Sequence, residues 1–394
     1  MRNLDWRARH GRALRASRLA LLCVLAGGCG RQTSEKAQNR RDLAHVNGST
    51  PGTADSAPRP APEQPVGVEG PGPQQVDFQD EAMGTNVHFI AFTNDRVDVA
   101  QVRSAMSVAF DEIKRLEALL SEWRDDSEVG QINLNPAHWV RVGPETFAVI
   151  SRGLAAGSAS QGAFDITFQA MRNVWKFGSA AEAEPKLPSA AEVEQRRRFV
   201  DFRKVELDAQ ARAVRIPQGY QLGLGGIAKG YIVDRAAEIL KKASITAFLV
   251  QAGGDLFGAG SKPDGSPWVT GIQDPRAPQG EFFATIELTD HAFSTAGDYA
   301  RSYVIGGRRY HHIIDPHTGD PATASRSVTV WADDATTADA IDDAIFILGP
   351  ERGLELAQAS PGVGVVIVDK DNKVWLSPRL TGKVHVTRQP TDGI

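Results

Sequence analysis

The sequence predicts an α+β fold: mixed or antiparallel sheets flanked by helices, in a single domain. Three observations lead there. Segments with helical periodicity interleave with short apolar runs bounded by turn residues, so both element types occur along the chain. Several neighbouring runs, such as 205–216, alternate like hairpins, which favours antiparallel pairing over a doubly wound parallel sheet. No internal repeat is present, which argues against a solenoid.

The chain has 394 residues, enough for one large domain or two ordinary ones. Its net charge of −4 leaves no basic footprint for nucleic acid, and no partner of that kind is expected. No run of apolar residues is long enough to span a bilayer.

Residues 1–28 read as a signal peptide of the lipoprotein type. Arg2, Arg7, Arg9, Arg12, Arg15 and Arg18 make a positive start, 19–26 is a short apolar core, and Ala26, Gly27 and Gly28 directly precede Cys29. Small residues before a cysteine resemble the lipobox of bacterial lipoproteins. That implies cleavage before Cys29, a lipid on its thiol, and a domain held to a membrane on the periplasmic side. A plain secretory signal is the alternative. The other cysteine, Cys23, lies inside the apolar core. Beyond Cys29 the mature chain therefore has no thiol, which excludes a disulfide framework, thiolate catalysis and cysteine-ligated metal. Residues 29–75 carry Cys29 and a Pro/Gly-rich tether too poor in large apolar side chains to fold. The folded domain spans 76–385, and 386–394 is a C-terminal tail.

The domain opens with two short strands broken at Met83-Gly84-Thr85, where glycine permits a tight turn. Residues 97–123 form a long amphipathic helix, with Val102, Met106, Phe110, Ile113, Leu116 and Leu120 on one face. A turn-rich link at 127–135 and a helix at 146–156 follow. Residues 180–198 are a polar excursion ending in a charged helix. A glycine-rich loop at 222–231 leads into a helix through Leu240. Strands are expected at 247–252, 268–273, 282–288, 291–295, 303–305 and 328–332, with a loop-prone segment at 309–321. A helix over 333–349 comes next, capped by Thr336 or Thr337 and ended by Gly349-Pro350. A helix near Leu354 and strands at 363–368 and 374–377 close the domain.

The 333–349 helix carries the strongest chemical signal. Asp339 and Asp343 are four residues apart, so both project from one side. A solvated acidic face is one reading. The helix is apolar almost all round, however, which indicates burial. Buried carboxylates require a base or a hard cation such as Mg²⁺. Gly223, Gly225, Gly226 and Gly230 surround Lys229 at a helix start. That is a place for an anion or for close helix packing, and it matches neither a P-loop nor a Rossmann fingerprint. His311, His312 and His317 cluster with Asp315. They fit a transition-metal site, a general base with its orienter, or structural hydrogen bonds.

These segments occur together in a characteristic order: M-G-T at 83; S-E-W and S-E-V-G-Q-I-N within 121–133; G-A-F-D-I-T at 162; G-G-I-A-K-G at 225; G-G-D at 253; S-T-A-G-D-Y at 294; H-H-I-I-D-P-H-T-G at 311; and A-D-A-I-D-D-A-I-F-I-L-G at 338. In that order they resemble the ApbE family of FAD:protein FMN transferases, from Met83 to Gly349. The resemblance implies a domain that binds FAD and Mg²⁺. It implies transfer of FMN to a Thr or Ser hydroxyl of an acceptor flavoprotein, with AMP released. It makes Asp339, Asp343 and the Gly226 carbonyl the metal ligands, and places Met83, Ala163, Phe164, Asp165 and Lys229 at the flavin nucleotide. His312 becomes the base or proton carrier. Two positions depart from the pattern. Gly223 stands where it has Asp, which removes an expected contact to FAD, and Asp343 stands where it has Thr. An FAD pyrophosphatase and a non-catalytic flavin-binding lipoprotein are the alternatives.

Overall fold

A computed structural model describes residues 72–177 and 185–394. The signal peptide, Cys29, the tether as far as residue 71, and 178–184 of the polar excursion lie outside the described residues. The elements run β1 (Gln75–Ala82), β2 (Thr85–Phe92), α1 (Val99–Leu120), α2 (Glu128–Leu134), β3 (Val140–Arg141), α3 (Pro144–Ala159), α4 (Ala190–Arg197), β4 (Glu206–Asp208), β5 (Ala213–Arg215), α5 (Ala228–Lys242), β6 (Phe248–Ala252), β7 (Asp255–Ala259), β8 (Trp268–Gln273), β9 (Phe282–Leu288), β10 (His291–Gly297), β11 (Ser302–Ile305), β12 (Arg308–His311), β13 (Ser325–Ala332), α6 (Ala335–Ala359), β14 (Gly364–Asp369), β15 (Val374–Leu376) and β16 (Val384–Val386). No helix among the described residues is long and apolar enough to cross a membrane.

One sheet of eight strands, in the order β1-β2-β6-β7-β10-β13-β14-β15, organises the chain, and every neighbouring pair in it is antiparallel. Side chains alternate between its two faces. Val328, Val330, Val365 and Ile367 share one apolar core with α1, α5 and α6. Trp331, Val366 and Val368 point the other way, into a second core against the three-stranded sheet β16-β9-β8. Because both faces are covered, β14 is buried along its whole length, and its residues 365–368 read as an unbroken apolar run. The α+β expectation holds.

The local signals explain most boundaries. Asp98 and Gln101 form a capping box at the start of α1, and the predicted apolar face is buried. Met83 and Gly84 both take positive φ in the two-residue turn between β1 and β2. Residues 127–135 are not a bare link. Ser127 accepts the Gly130 N–H at 2.8 Å, and Val129 and Ile132 are buried, so α2 forms there. The loop-prone segment starts inside β12, which hairpins with β11 through Gly306 and Gly307, both left-handed. The tail 386–394 lies against the domain. Thr391 donates to Asp274, and Arg276 and Arg309 donate to the main-chain oxygens of Gly393 and Ile394.

The acidic helix α6 differs from expectation at both ends. Its cap is Asp334, which accepts the Thr337 N–H at 2.9 Å, rather than Thr336 or Thr337. Asp234 of α5 accepts the next two amides, those of Ala335 and Thr336, at 2.7 and 2.9 Å. At Gly349 the backbone leaves the helical range, with φ of 74°, and a second helical stretch continues to Ala359.

α5 and α6 touch backbone to backbone. A Cβ on Gly230 would lie 2.1 Å from the Ala335 carbonyl oxygen. Gly230→Ala is therefore expected to force the helices apart, at a cost of about 3 kcal/mol or more. Urea unfolding should show a lower midpoint with an unchanged slope. A loss below about 0.5 kcal/mol would mean that the helices separate freely.

Candidate active site

Helical pitch places Asp339, Asp342 and Asp343 on one side of α6. That side is not a solvated face. Asp339 and Asp342 are 3% and 4% exposed, and Asp343 is half-buried. Strand alternation supplies what they meet. Asp255 shares the helix-covered face of β7 with Phe257, and Ser294 shares that of β10 with Ala292 and Ala296. Oxygens of Asp255, Asp339 and Asp342 consequently lie within 4.8 Å of one another. Lys229, in the first turn of α5, reaches into the group. Its Nζ lies 2.5 Å from Asp255 Oδ2 and 3.2 Å from Asp339 Oδ1. The Gly230 N–H donates to Asp339 Oδ2 at 2.9 Å.

The charges do not balance. The Ser294 hydroxyl lies 2.5 Å from Asp255 Oδ1 and 2.6 Å from Asp342 Oδ2. A hydroxyl carries one proton, so it cannot donate to both. A carboxyl proton or a cation must serve the second contact. Burial raises Asp339 to about 7, aided by Asp255 and opposed by Lys229. Burial raises Asp343 to about 6. Asp342 is pushed well above the usual carboxylate range, by burial and then by Asp343 and Asp339. Burial opposes the charge on Lys229, but Asp255 and Asp339 outweigh it and hold the ammonium on. Four carboxylates against one lysine, all with oxygen donors, fit a hard divalent cation such as Mg²⁺.

A pH dependence follows. A carboxyl whose folded pKa is raised stabilises the folded chain most below the unfolded value, and that contribution is lost as pH rises through the folded pKa. The metal-free protein is expected to lose thermal stability as pH climbs through about 6 and about 7, the values of Asp343 and Asp339. Mg²⁺ should restore it, with a larger rise in Tm at pH 8 than at pH 5. Thermal scans with and without Mg²⁺ measure this. An equal Mg²⁺ effect at both pH values would count against Mg²⁺ binding by these carboxylates.

The cluster opens on a cleft of about 1760 Å³. The residues that the family resemblance assigned all line it: Met83, Ala163, Phe164, Asp165, Gly226, Lys229, His312, Asp339 and Asp343. Gly226 faces Asp343, whose Oδ2 would lie 3.3 Å from a Cβ at 226. Asp165 also has local work. Its Oδ1 accepts from the Thr167 N–H and hydroxyl at 2.7 and 2.6 Å, and its Oδ2 from the Phe202 N–H at 2.8 Å. The carboxylate thus fixes the turn that presents Ala163 and Phe164. The glycines divide their tasks: Gly230 allows helix packing, while its N–H serves Asp339 rather than a free anion site.

The histidine cluster separates. His311 is buried, with Nε2 donating to the Ala322 carbonyl at 2.8 Å and Nδ1 accepting the Ile313 N–H at 3.3 Å. His317 is exposed and pairs with Asp315 at 3.0 Å. His312 lines the cleft, and its Nδ1 is buried with no hydrogen-bond partner among the described residues. Burial lowers its pKa to about 3, with Arg301 and His311 adding to the effect, so the ring is a neutral base at pH 7. The three histidines do not converge as a metal site.

Fold and cleft together define an α+β protein whose ligand site joins buried carboxylates, a lysine and a neutral histidine. The chain belongs to the ApbE family, whose pattern matches residues 83–367. It is 33% identical to the FAD:protein FMN transferase of Treponema pallidum over 303 residues, 73% of this chain and 83% of that protein. It is 30% identical to the FAD:protein FMN transferase of Vibrio cholerae, covering 78% of this chain and 91% of the relative. The structure superposes on the ApbE protein of Thermotoga maritima with a TM-score of 0.71 at 32% identity, covering 79% of this chain and 99% of the other. For the flavin transferase ApbE of Vibrio cholerae the TM-score is 0.68 at 29% identity, with the same coverage.

Proposed function

We propose that this chain is a transferase that moves FMN from FAD to a Thr or Ser hydroxyl of an acceptor flavoprotein, with Mg²⁺ bound and AMP released. The observation that carries the reading is convergence. α5, the β6–β7 turn, the segment after β12 and α6 are distant in sequence, yet they bring Lys229, Asp255, His312 and the three aspartates of α6 to one cleft. That cleft exceeds the ~300–1,000 Å³ of an ordinary small-molecule pocket, leaving room for a dinucleotide and an incoming side chain.

In this reading the acceptor oxygen bonds to the flavin-side phosphorus, the pyrophosphate P–O bond breaks, and AMP keeps the bridging oxygen. His312, neutral at pH 7, takes the hydroxyl proton. Met83, Ala163, Phe164 and Asp165 orient the flavin nucleotide, and Lys229 holds a positive charge beside the phosphates. Asp339, Asp343 and the Gly226 carbonyl would hold Mg²⁺, with Asp255 and Asp342 beside them. When bound, Mg²⁺ supplies charge that offsets the pyrophosphate.

One incubation tests this: the chain, FAD, Mg²⁺ and a flavin-acceptor domain, followed by mass spectrometry of the denatured acceptor. Covalent FMN on a Thr or Ser, with stoichiometric AMP, is expected. Free FMN and AMP with an unmodified acceptor would make the protein a pyrophosphatase. Intact bound FAD would make it a flavin-binding protein. The reading also places the domain on the periplasmic side of a membrane, held by a lipid on Cys29. Cys29→Ser should move it to the soluble fraction, and unchanged membrane recovery would remove the anchor.

A further inference from the structure

Gln169 lies on the short 3-10 turn Phe168–Met171, directly after the G-A-F-D-I-T segment. It lines the cleft beside Gly223. The residue is 7% exposed, and its Nε2 is buried with no hydrogen-bond partner among the described residues. A buried amide donor left without a partner is costly, so a group of this kind calls for one. The cleft is where that partner can come from.

Gly223 belongs to the same arrangement. Its backbone is not left-handed, so conformation does not require glycine there. Space does. A Cβ at 223 would lie 3.0 Å from Gln169 Cβ and 3.2 Å from Gln169 Oε1. The Gly223 N–H holds the loop against this segment by donating to the Ile166 carbonyl at 2.8 Å. Asn133 also clasps the preceding residue, accepting the Leu222 N–H at 2.7 Å and donating to its carbonyl at 2.8 Å. The glycine where the family pattern has Asp and the glutamine opposite it are thus one structural fact.

We propose that the Gln169 carboxamide supplies the polar contact to FAD that position 223 cannot, with Nε2 donating to an acceptor atom of the bound dinucleotide. The contact becomes a neutral donor delivered from the 3-10 turn instead of a carboxylate delivered from the glycine loop. This rests on the reading that the cleft binds FAD.

A double-mutant cycle on FAD affinity tests it, with flavin fluorescence read on the full chain without Mg²⁺ so that no turnover intervenes. Gln169→Ala is expected to raise the Kd about tenfold. Gln169→Glu keeps the shape but loses the N–H donors, and should weaken binding at least as much with the fold intact by circular dichroism. Gly223→Asp presses on Gln169 and should also weaken binding. Gln169→Ala with Gly223→Asp should bind more tightly than Gly223→Asp alone, because the carboxylate gains the vacated space. Wild-type-like affinity in Gln169→Ala, or effects in the double variant that simply multiply, overturns the proposal while leaving FAD binding in place. Absence of FAD binding by the wild-type chain overturns both.

Discussion

Asp339→Ala is expected to reduce metal-dependent turnover by about a thousandfold or more, the loss anticipated when a ligand of a charge-offsetting metal is removed. Asp339 has both of its carboxylate oxygens engaged. One oxygen takes the Gly230 N–H and the other meets Lys229, while Asp255 and Asp342 stand within 4.8 Å. Its removal takes a charge from the proposed metal site and strips a buried amide of its acceptor. It also leaves Lys229 to Asp255 alone. Asp339→Asn separates these effects. The amide keeps the shape and can still accept from Gly230, so folding should survive while affinity for Mg²⁺ collapses. The measurement is initial rate against Mg²⁺ concentration, with a thermal scan of each variant. An Asn variant with wild-type rate and wild-type Mg²⁺ dependence would take Asp339 out of the metal site. Asp339→Ala alone could fail through instability, which is why the Asn variant decides.

The helices and most strands were legible because each carries its own pattern, as in the buried face of α1 and the apolar run of β14. Asp339, Asp343, Lys229 and His312 were legible as parts of motifs. Asp342, Asp255 and Gln169 were not, for physical reasons. Asp342 is one residue from a pair chosen for its four-residue spacing, and a three-residue spacing serves the same side of a helix equally well. Asp255 follows two glycines and reads locally as a turn. Only the pairing of β7 with β10 brings it under α6 beside Ser294. Gln169 sits in a short apolar stretch with no periodicity to single it out. Its orphaned amide becomes visible only once Gly223 is packed against it. Side chains whose partners lie on distant segments leave no local trace, and the charge balance of this site depends on such partners.

His312→Ala is expected to slow transfer by about 10²- to 10⁴-fold, the usual contribution of a positioned base, with the Kd for FAD changed by less than about threefold. The ring extends from the segment after β12, next to His311, whose two nitrogens are tied to Ala322 and Ile313. Removing His312 therefore leaves the wall of the cleft standing. Burial, Arg301 and His311 keep its pKa at about 3, so it is already unprotonated across the neutral range. Loss of activity towards acid must then come from the carboxylates, as Asp339 and Asp343 take up protons near 7 and 6 and metal affinity falls. Two signatures distinguish the base from a ligand contact. The acid limb of the rate profile should stay at the same pH in His312→Ala while the plateau drops. FAD titrations should be nearly superimposable with wild type. A shifted acid limb would couple His312 to the metal carboxylates. Lost FAD binding would make it a residue that positions the nucleotide, and another group would then have to accept the proton.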